Sequence, residues 1–168
     1  MNSEYKIRST YADEFALILS VLKEGAVTLQ SKGVDQWRVW LNPTPERLEW
    51  VKEGFDNGEF YVFETQQKMI AGIYRLSFQD LKYWGIQEKS AGYVHSLTVR
   101  DSFSGRQLGK LILKLVEQQL LEKGLYLFRL DCVASNEKLC QYYESQGFKK
   151  VGEKIITQSL NNLYEKEI

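Results

Sequence analysis

The chain has 168 residues, of which 43% are hydrophobic and 26% are charged, and these values favour one globular domain, residues 1–168, with a hydrophobic core of its own. The 22 basic and 22 acidic residues give a formal net charge of zero, which argues against a general nucleic-acid-binding protein. No apolar run approaches the roughly 20 residues that a membrane span needs, and two cysteines are too few for a disulfide framework or a zinc site.

The first half of the chain predicts one strand, two helices and two further strands. The opening segment KIRST has the residue types of a strand, and Thr10 with Asp13 predicts the start of a helix directly after it. Thr44 and Pro45 predict a second helix, with Thr44 as its N-terminal cap and Pro45 at its first position. After the turn signal Asn57-Gly58, the segments EFYVFET and MIAGIYRLSF predict two strands.

The second half of the chain alternates predicted strands with helices. AGYVHSLTV predicts a fourth strand, and a long helix is predicted from Gln107 to Lys123, ending at Gly124. LYLFRLDCV predicts the next strand, Asn136 caps a helix that Gly147 ends, and the tail from Phe148 suggests two more strands. The overall order β-α-α-β-β-β-α-β-α-β predicts an α/β or α+β fold with a mixed sheet.

The junction between the fourth strand and the third helix combines glycine with basic residues. It reads SGRQLGK, residues 104–110, and Arg106 and Lys110 place positive charge beside a helix N-terminus. The unpaired N–H groups and the dipole of a helix N-terminus favour phosphate binding. We therefore interpret the junction as a site for a pyrophosphate-bearing cofactor, and the alternative is a strand-to-helix turn with solvated basic side chains. The P-loop and dinucleotide-binding patterns are both absent.

A second signal lies about thirty residues further on, in LDCVASNEKLCQYYESQGFKKVGE, residues 130–153. Its Asn136, Tyr143 and Gly147-Phe148 resemble the GNAT superfamily of acetyl-CoA-dependent N-acetyltransferases, and the predicted element order is similar to that of the family as well. The resemblance implies a single GNAT-like domain with a mixed, mostly antiparallel central sheet flanked by helices. It also implies an acyltransferase that moves an acetyl group from acetyl-CoA directly to an amine.

The resemblance also implies where the cofactor binds. The family's loop pattern [QR]-x-x-G-x-[GA] aligns to Ser104–Gly109, but Ser104 replaces the basic or amide residue and Gln107 replaces the first glycine. Backbone groups at the end of the fourth strand and in the loop are the implied contacts to the pantetheine arm and the pyrophosphate. The implied cofactor-binding residues are Leu97, Val99, Ser104, Gly105, Arg106, Gln107, Leu108, Gly109, Lys110 and Asn136.

Two residues are candidates for proton transfer. In the family a tyrosine in the helix after the asparagine commonly protonates the departing thiolate, and Tyr143 occupies that position; the alternative is a buried core tyrosine. Two helical turns place Asn136 and Tyr143 on the same face. His95, the only histidine, is the candidate base because an imidazole accepts a proton near neutral pH. The alternative is a structural histidine, with a carboxylate or a water chain as the base. No metal site is predicted.

The acceptor is expected to be a primary amine of a small molecule. Asp35, Trp37 and Trp84 are the candidate substrate-binding residues, although either tryptophan can instead anchor its loop to the core. Glu64 and Asp131 are possible further carboxylates of the site, with ordinary strand positions as the alternative.

Other readings of the same scaffold stay open. A non-catalytic acyl-CoA-binding sensor and a protein N-acetyltransferase are the two alternatives. Partners beyond the amine are expected to include neither nucleic acid nor membrane, and the chain is expected to be a monomer or homodimer. The N-terminal residues MNSEYKIRST lack the apolar core of a signal peptide, so a reducing cytoplasm is the expected location, with both cysteines as buried free thiols.

Overall fold

A computed structural model describes residues 4–168 of the chain. Within that range the strands and α-helices are β1 Tyr5–Ser9, α1 Phe15–Ser31, α2 Pro45–Asp56, β2 Phe60–Thr65, β3 Ile70–Ser77, β4 Gly92–Val99, α3 Leu108–Glu122, β5 Leu127–Val133, α4 Glu137–Ser145, β6 Lys149–Ile156 and β7 Ser159–Glu167. The strand order is β1-β2-β3-β4-β5-β7-β6. The predicted fold class, with its mixed and mostly antiparallel sheet, is confirmed. The tail forms both strands suggested from Phe148, so the element order ends with two strands rather than one.

The described residues form two compact units. The first consists of the residues up to Leu76 together with Ser96–Ile112, and the second consists of Ser77–His95 and Leu113–Ile168. Strand β4 therefore contributes to both. Residues 1–3, which the single-domain prediction includes, lie outside the described residues, and that prediction stays a prediction.

The first unit is built on an antiparallel arrangement of β1, β2 and β3. The apolar face of α1 supplies much of its core, which consists of Ile18, Val21, Leu22, Ala26, Trp40, Val51, Phe60, Val62 and Ile73. Helix α2 begins as predicted, because Thr44 Oγ1 accepts a hydrogen bond from the Arg47 N–H and Pro45 occupies the first position.

The predicted start of α1 at Thr10 and Asp13 is wrong. The helix begins at Phe15, and Glu14 precedes it without capping it through its side chain. The Thr10 N–H donates to the Phe60 carbonyl at 3.2 Å, so Thr10 extends the contact between β1 and β2 instead of capping a helix. Sheet pairing therefore outweighed the local capping preference at this position.

The second unit contains the N-terminal half of β4 with β5, β6 and β7. Strand β5 is parallel to β4 at Gly92↔Phe128 and Tyr93↔Arg129, and it pairs with β7 in antiparallel fashion along its whole length. Asn136 caps α4, since its side chain accepts from the Leu139 N–H. No helix among residues 4–168 combines the length and apolar character of a membrane span.

Candidate active site

The loop before α3 has the features of an anion site, all of them within the first unit. The side chains of Arg106, Gln107 and Lys110 are exposed, whereas Leu108 is buried and fixes the first turn of the helix. The Arg106 guanidinium lies 5.2 Å from the Phe103 ring centroid. Exposed N–H groups at the start of α3, together with two cationic side chains, suit a pyrophosphate.

Gln107 explains how the loop tolerates its departure from the family pattern. Its φ is +55°, in the left-handed region that favours glycine. Gln107, which stands where the loop pattern has its first glycine, thus adopts the left-handed conformation that glycine adopts most easily.

Polar contacts to α1 hold the segment that leads into this loop. The Arg100 Nε donates to Glu24 at 2.9 Å, and the Asp101 N–H donates to the other oxygen of the same carboxylate at 3.2 Å. Thr28 donates to Asp101. Leu97 and Val99, the predicted pantetheine contacts, are half-buried in β4. These contacts fix the segment that precedes the loop.

His95 lies between two carboxylates of the second unit. Its Nε2 is 3.3 Å from Asp80 Oδ2, and its Nδ1 is 3.7 Å from Asp131 Oδ1. The three side chains are only 13%, 6% and 12% exposed, respectively. Burial, reinforced by the negative charge of Asp80, raises the pKa of Asp131 to about 6, although His95 and Lys82 oppose the increase. The cluster therefore contains a carboxyl group that titrates near neutral pH.

The same three side chains are a possible metal-ligand set, since their ligating atoms all lie within 4.8 Å of one another. A metal ion, however, takes one nitrogen of an imidazole. Here the carboxylates of Asp80 and Asp131 face different nitrogens of His95. The arrangement suits the sharing of a proton better than the binding of one ion, and the absence of a metal site stays a prediction.

The segment from Asp80 to Trp84 follows β3 and packs on the face of β4 and β5 that carries His95. Trp84 packs edge-on to Tyr93 with ring centroids 5.8 Å apart, and the Arg129 guanidinium lies 4.8 Å from the Trp84 ring. Arg129 also donates to the Tyr93 hydroxyl at 2.7 Å. Trp84 is thus anchored by packing, yet its Nε1 is buried without a hydrogen-bond partner among residues 4–168.

Tyr143 is buried in α4 against other aromatic side chains. Its ring contacts Tyr142, Phe148 and Tyr164 at centroid distances of 5.6, 5.9 and 6.2 Å. An ordinary phenol keeps its proton at neutral pH, and burial raises the pKa of Tyr143 further. A protonated hydroxyl is what a general acid requires, while the packing itself suits the alternative of a core tyrosine equally well.

The two cysteines lie close to Tyr143 in the second unit. Cys132 on β5 and Cys140 on α4 are buried free thiols, as predicted, with their Sγ atoms 3.4 Å apart. Burial raises the pKa of the Cys132 thiol, which disfavours the reactive thiolate.

The predicted acceptor residues of the first unit lie in the connection between α1 and α2. Asp35 is largely exposed, with its carboxylate 3.9 Å from an Arg38 nitrogen. Trp37 packs against the core of the unit, and its ring lies 3.2 Å from the point that a Cβ on Gly25 would occupy. These contacts support the alternative that Trp37 anchors its loop, and its role toward an acceptor stays a prediction.

Asp80 and Asp131 both contact His95, and the sequence predicted neither contact. Asp131 follows from strand register: continuing the pairing of Gly92 with Phe128 by three residues brings His95 opposite Asp131. Asp80 carries no comparable signal, because it lies in a loop. Glu64 is a structural carboxylate, since it is buried and paired with Lys6 and Arg8.

Comparisons with known proteins agree on one family. The model of the Acetyltransferase (GNAT) family matches residues 32–148. An uncharacterized N-acetyltransferase of Bacillus subtilis (strain 168), YesJ, is 27% identical over 168 residues, covering 98% of this chain and 90% of that protein. The crystal structure of a GNAT-family acetyltransferase from Listeria monocytogenes 4b F2365 has a TM-score of 0.81 at 27% identity, covering 98% of this chain and 95% of that one.

A more distant structure shares the fold alone. It is the spermidine N-acetyltransferase of Vibrio cholerae in complex with CoA and spermine, with a TM-score of 0.69 at 14% identity. The similarity covers 99% of this chain and 96% of that one.

Proposed function

The chain belongs to the GNAT family of acetyltransferases and is an acyltransferase, and on that premise we propose that it acetylates a primary amine of a small molecule in the cytoplasm. The observation that supports an amine acceptor most directly is the cluster of Asp80, His95 and Asp131. A free alkylamine is protonated at neutral pH and must lose a proton before it attacks. Two buried carboxylates attract such a cation, and the imidazole between them is the proposed base.

Acetyl-CoA, the donor of the family, supplies the activated acetyl group when it is bound. The residues that would hold its pyrophosphate are those of the loop before α3, where Arg106 and Lys110 add positive charge to the N–H groups of the helix start. Leu97 and Val99 offer strand backbone to the pantetheine arm. Asn136 is the remaining proposed contact.

Each proton has a proposed carrier. His95 accepts the proton of the ammonium group, which leaves the amine nitrogen with a free electron pair. Tyr143 carries its proton on Oη at neutral pH, as an ordinary phenol does, and it is the proposed donor to the departing thiolate. Asp35, Trp37 and Trp84 are the proposed residues for acceptor recognition, and the unpartnered Nε1 of Trp84 is the donor that supports its inclusion.

A two-step experiment tests the proposed function. Acetyl-CoA should raise the melting temperature of the purified protein, because a ligand that binds only the folded state stabilises it. Thiol release should then be measured with a panel of small amines and a panel of peptides. Release with a small amine supports the proposal, release with peptides alone favours a protein N-acetyltransferase, and binding without any release favours an acyl-CoA sensor.

Replacement of the proposed base is the matched test of mechanism. His95→Gln keeps a polar side chain but removes the proposed base, so turnover should fall and the pH profile should change. Normal turnover with an unchanged pH profile would return His95 to a structural role.

A further inference from the structure

The contact between His95 and Asp131 results from the register of two parallel strands. Pairing of β4 with β5 includes Gly92↔Phe128 and Tyr93↔Arg129, and the next residues on the same face are His95 and Asp131. The imidazole and the carboxylate therefore lie on the same side of the sheet and face each other. The distance of 3.7 Å between Nδ1 and Oδ1 is longer than a hydrogen bond and becomes that of an ion pair when the imidazole is protonated.

Asp80 approaches the other nitrogen from a loop that its own side chain holds. Its Oδ1 accepts a hydrogen bond from the Tyr83 N–H at 3.0 Å, and its carbonyl accepts from the Trp84 N–H at 3.0 Å. Its Oδ2 is buried, lacks a hydrogen-bond partner among the described residues and lies 3.3 Å from His95 Nε2. A buried carboxylate oxygen is costly unless it faces a cation or a donor. Protonation of His95 during the reaction provides that cation.

We propose that Asp80 and Asp131 are positioning residues, which hold His95 by its two nitrogens so that the proton taken from the acceptor stays shared between two carboxylates. The inference rests on the proposed function and deepens it. The N–H bond of the ammonium group breaks, a proton is added to the Asp80–His95–Asp131 cluster, and the electron pair stays on the amine. The cluster changes from two negative charges to one, and no other reactant is required.

The charged and titratable groups around the cluster come from three elements. Besides the three members, these are Lys82 and Tyr83 in the loop after β3, Cys132 on β5 and Tyr143 on α4. Lys82 favours the ionised form of Asp131, while the charge of Asp80 and burial oppose it. Removal of either carboxylate should therefore change the surroundings of one ring nitrogen of His95.

The single histidine of the chain permits a direct test that does not depend on catalysis. Protein labelled with ¹⁵N-histidine gives imidazole signals from His95 alone, and their chemical shifts at neutral pH should be compared in the wild type, Asp80→Asn and Asp131→Asn. In each variant the imidazole shifts should differ from those of the wild type, because each carboxylate faces one of the two ring nitrogens. Asp56→Asn, the same change at an exposed carboxylate that pairs with Lys52, is the matched control and should leave the shifts unchanged.

Enzyme kinetics provide the second readout. Each of the two variants should lower kcat at least about tenfold and displace the pH profile, with the KM for acetyl-CoA within about twofold of the wild type. Imidazole chemical shifts that are the same in the wild type and both variants would overturn the proposal. Activity that a chelator abolishes and Zn²⁺ restores would also overturn it, because the three side chains would then be metal ligands.

The two proposals fail in different ways. If the wild-type protein acetylates no amine, the proposed function is wrong, while the imidazole chemical shifts still decide whether Asp80 and Asp131 act on His95. If the wild type is active but both variants match it in kcat and pH profile, only the positioning role is wrong.

Discussion

Replacement of Asp131 by Asn should stabilise the protein at neutral pH while it impairs turnover. Burial and the charge of Asp80 raise the pKa of Asp131 from its ordinary value of 3.8 to about 6. Between these two values the folded protein binds more protons at this site than the unfolded chain. The free energy of unfolding therefore falls as pH rises through this window.

The size of the effect follows from the difference between the two pKa values. A difference of about 2 pH units, at about 1.4 kcal/mol per unit, corresponds to about 3 kcal/mol once the pH exceeds 6. The Asn side chain approximates the neutral carboxylic acid in shape and has no charge to desolvate. The stabilisation by Asp131→Asn should therefore be near zero below about pH 4 and grow to its full value above about pH 6.

Urea unfolding at pH 4, 5, 6, 7 and 8 measures this difference directly. Asp56→Asn is again the matched control, and because its ion pair is exposed, the free energy of unfolding should change by less than about 1 kcal/mol. The reasoning is refuted if Asp131→Asn changes the free energy of unfolding equally at pH 4 and pH 8, or destabilises the protein at pH 8.

Three further changes test the rest of the site. Tyr143→Phe should lower kcat by roughly 100- to 10,000-fold with little change in KM, because the proton is needed in the transition state. If steady-state assays show turnover within a few-fold of wild type, Tyr143 is a packing residue. Replacement of both Arg106 and Lys110 by Glu should weaken acetyl-CoA binding by about tenfold or more at low salt without altering the melting temperature. Calorimetric titration measures the affinity, and an unchanged affinity would contradict the proposed position of the pyrophosphate. Gln107→Gly should raise the free energy of unfolding by about 0.5 to 1 kcal/mol. The strain of holding a non-glycine residue in the left-handed region costs more than the extra chain entropy that glycine loses on folding. Destabilisation of this variant in urea would show that Gln107 is not strained.

Local signals predicted most of the secondary structure because each depends on neighbouring residues. The cap at Thr44 and Pro45 and the cap at Asn136 were both found where the sequence indicated them. The start of α1 is the exception. There the Thr10 N–H is taken by the Phe60 carbonyl, a partner fifty residues away that no local pattern could have shown.

The sequence by itself determined the family, the fold class and the residue types available for the chemistry, because motifs such as the loop before α3 and the segment around Tyr143 are continuous in the chain. Tertiary structure alone decided how those side chains are used. Asp80, His95 and Asp131 are far apart in sequence, and they meet because strand register places two of them opposite each other while a loop brings the third. The resulting burial, rather than residue type, moves the pKa of Asp131 toward neutrality, since desolvation depends on what surrounds a carboxylate in space.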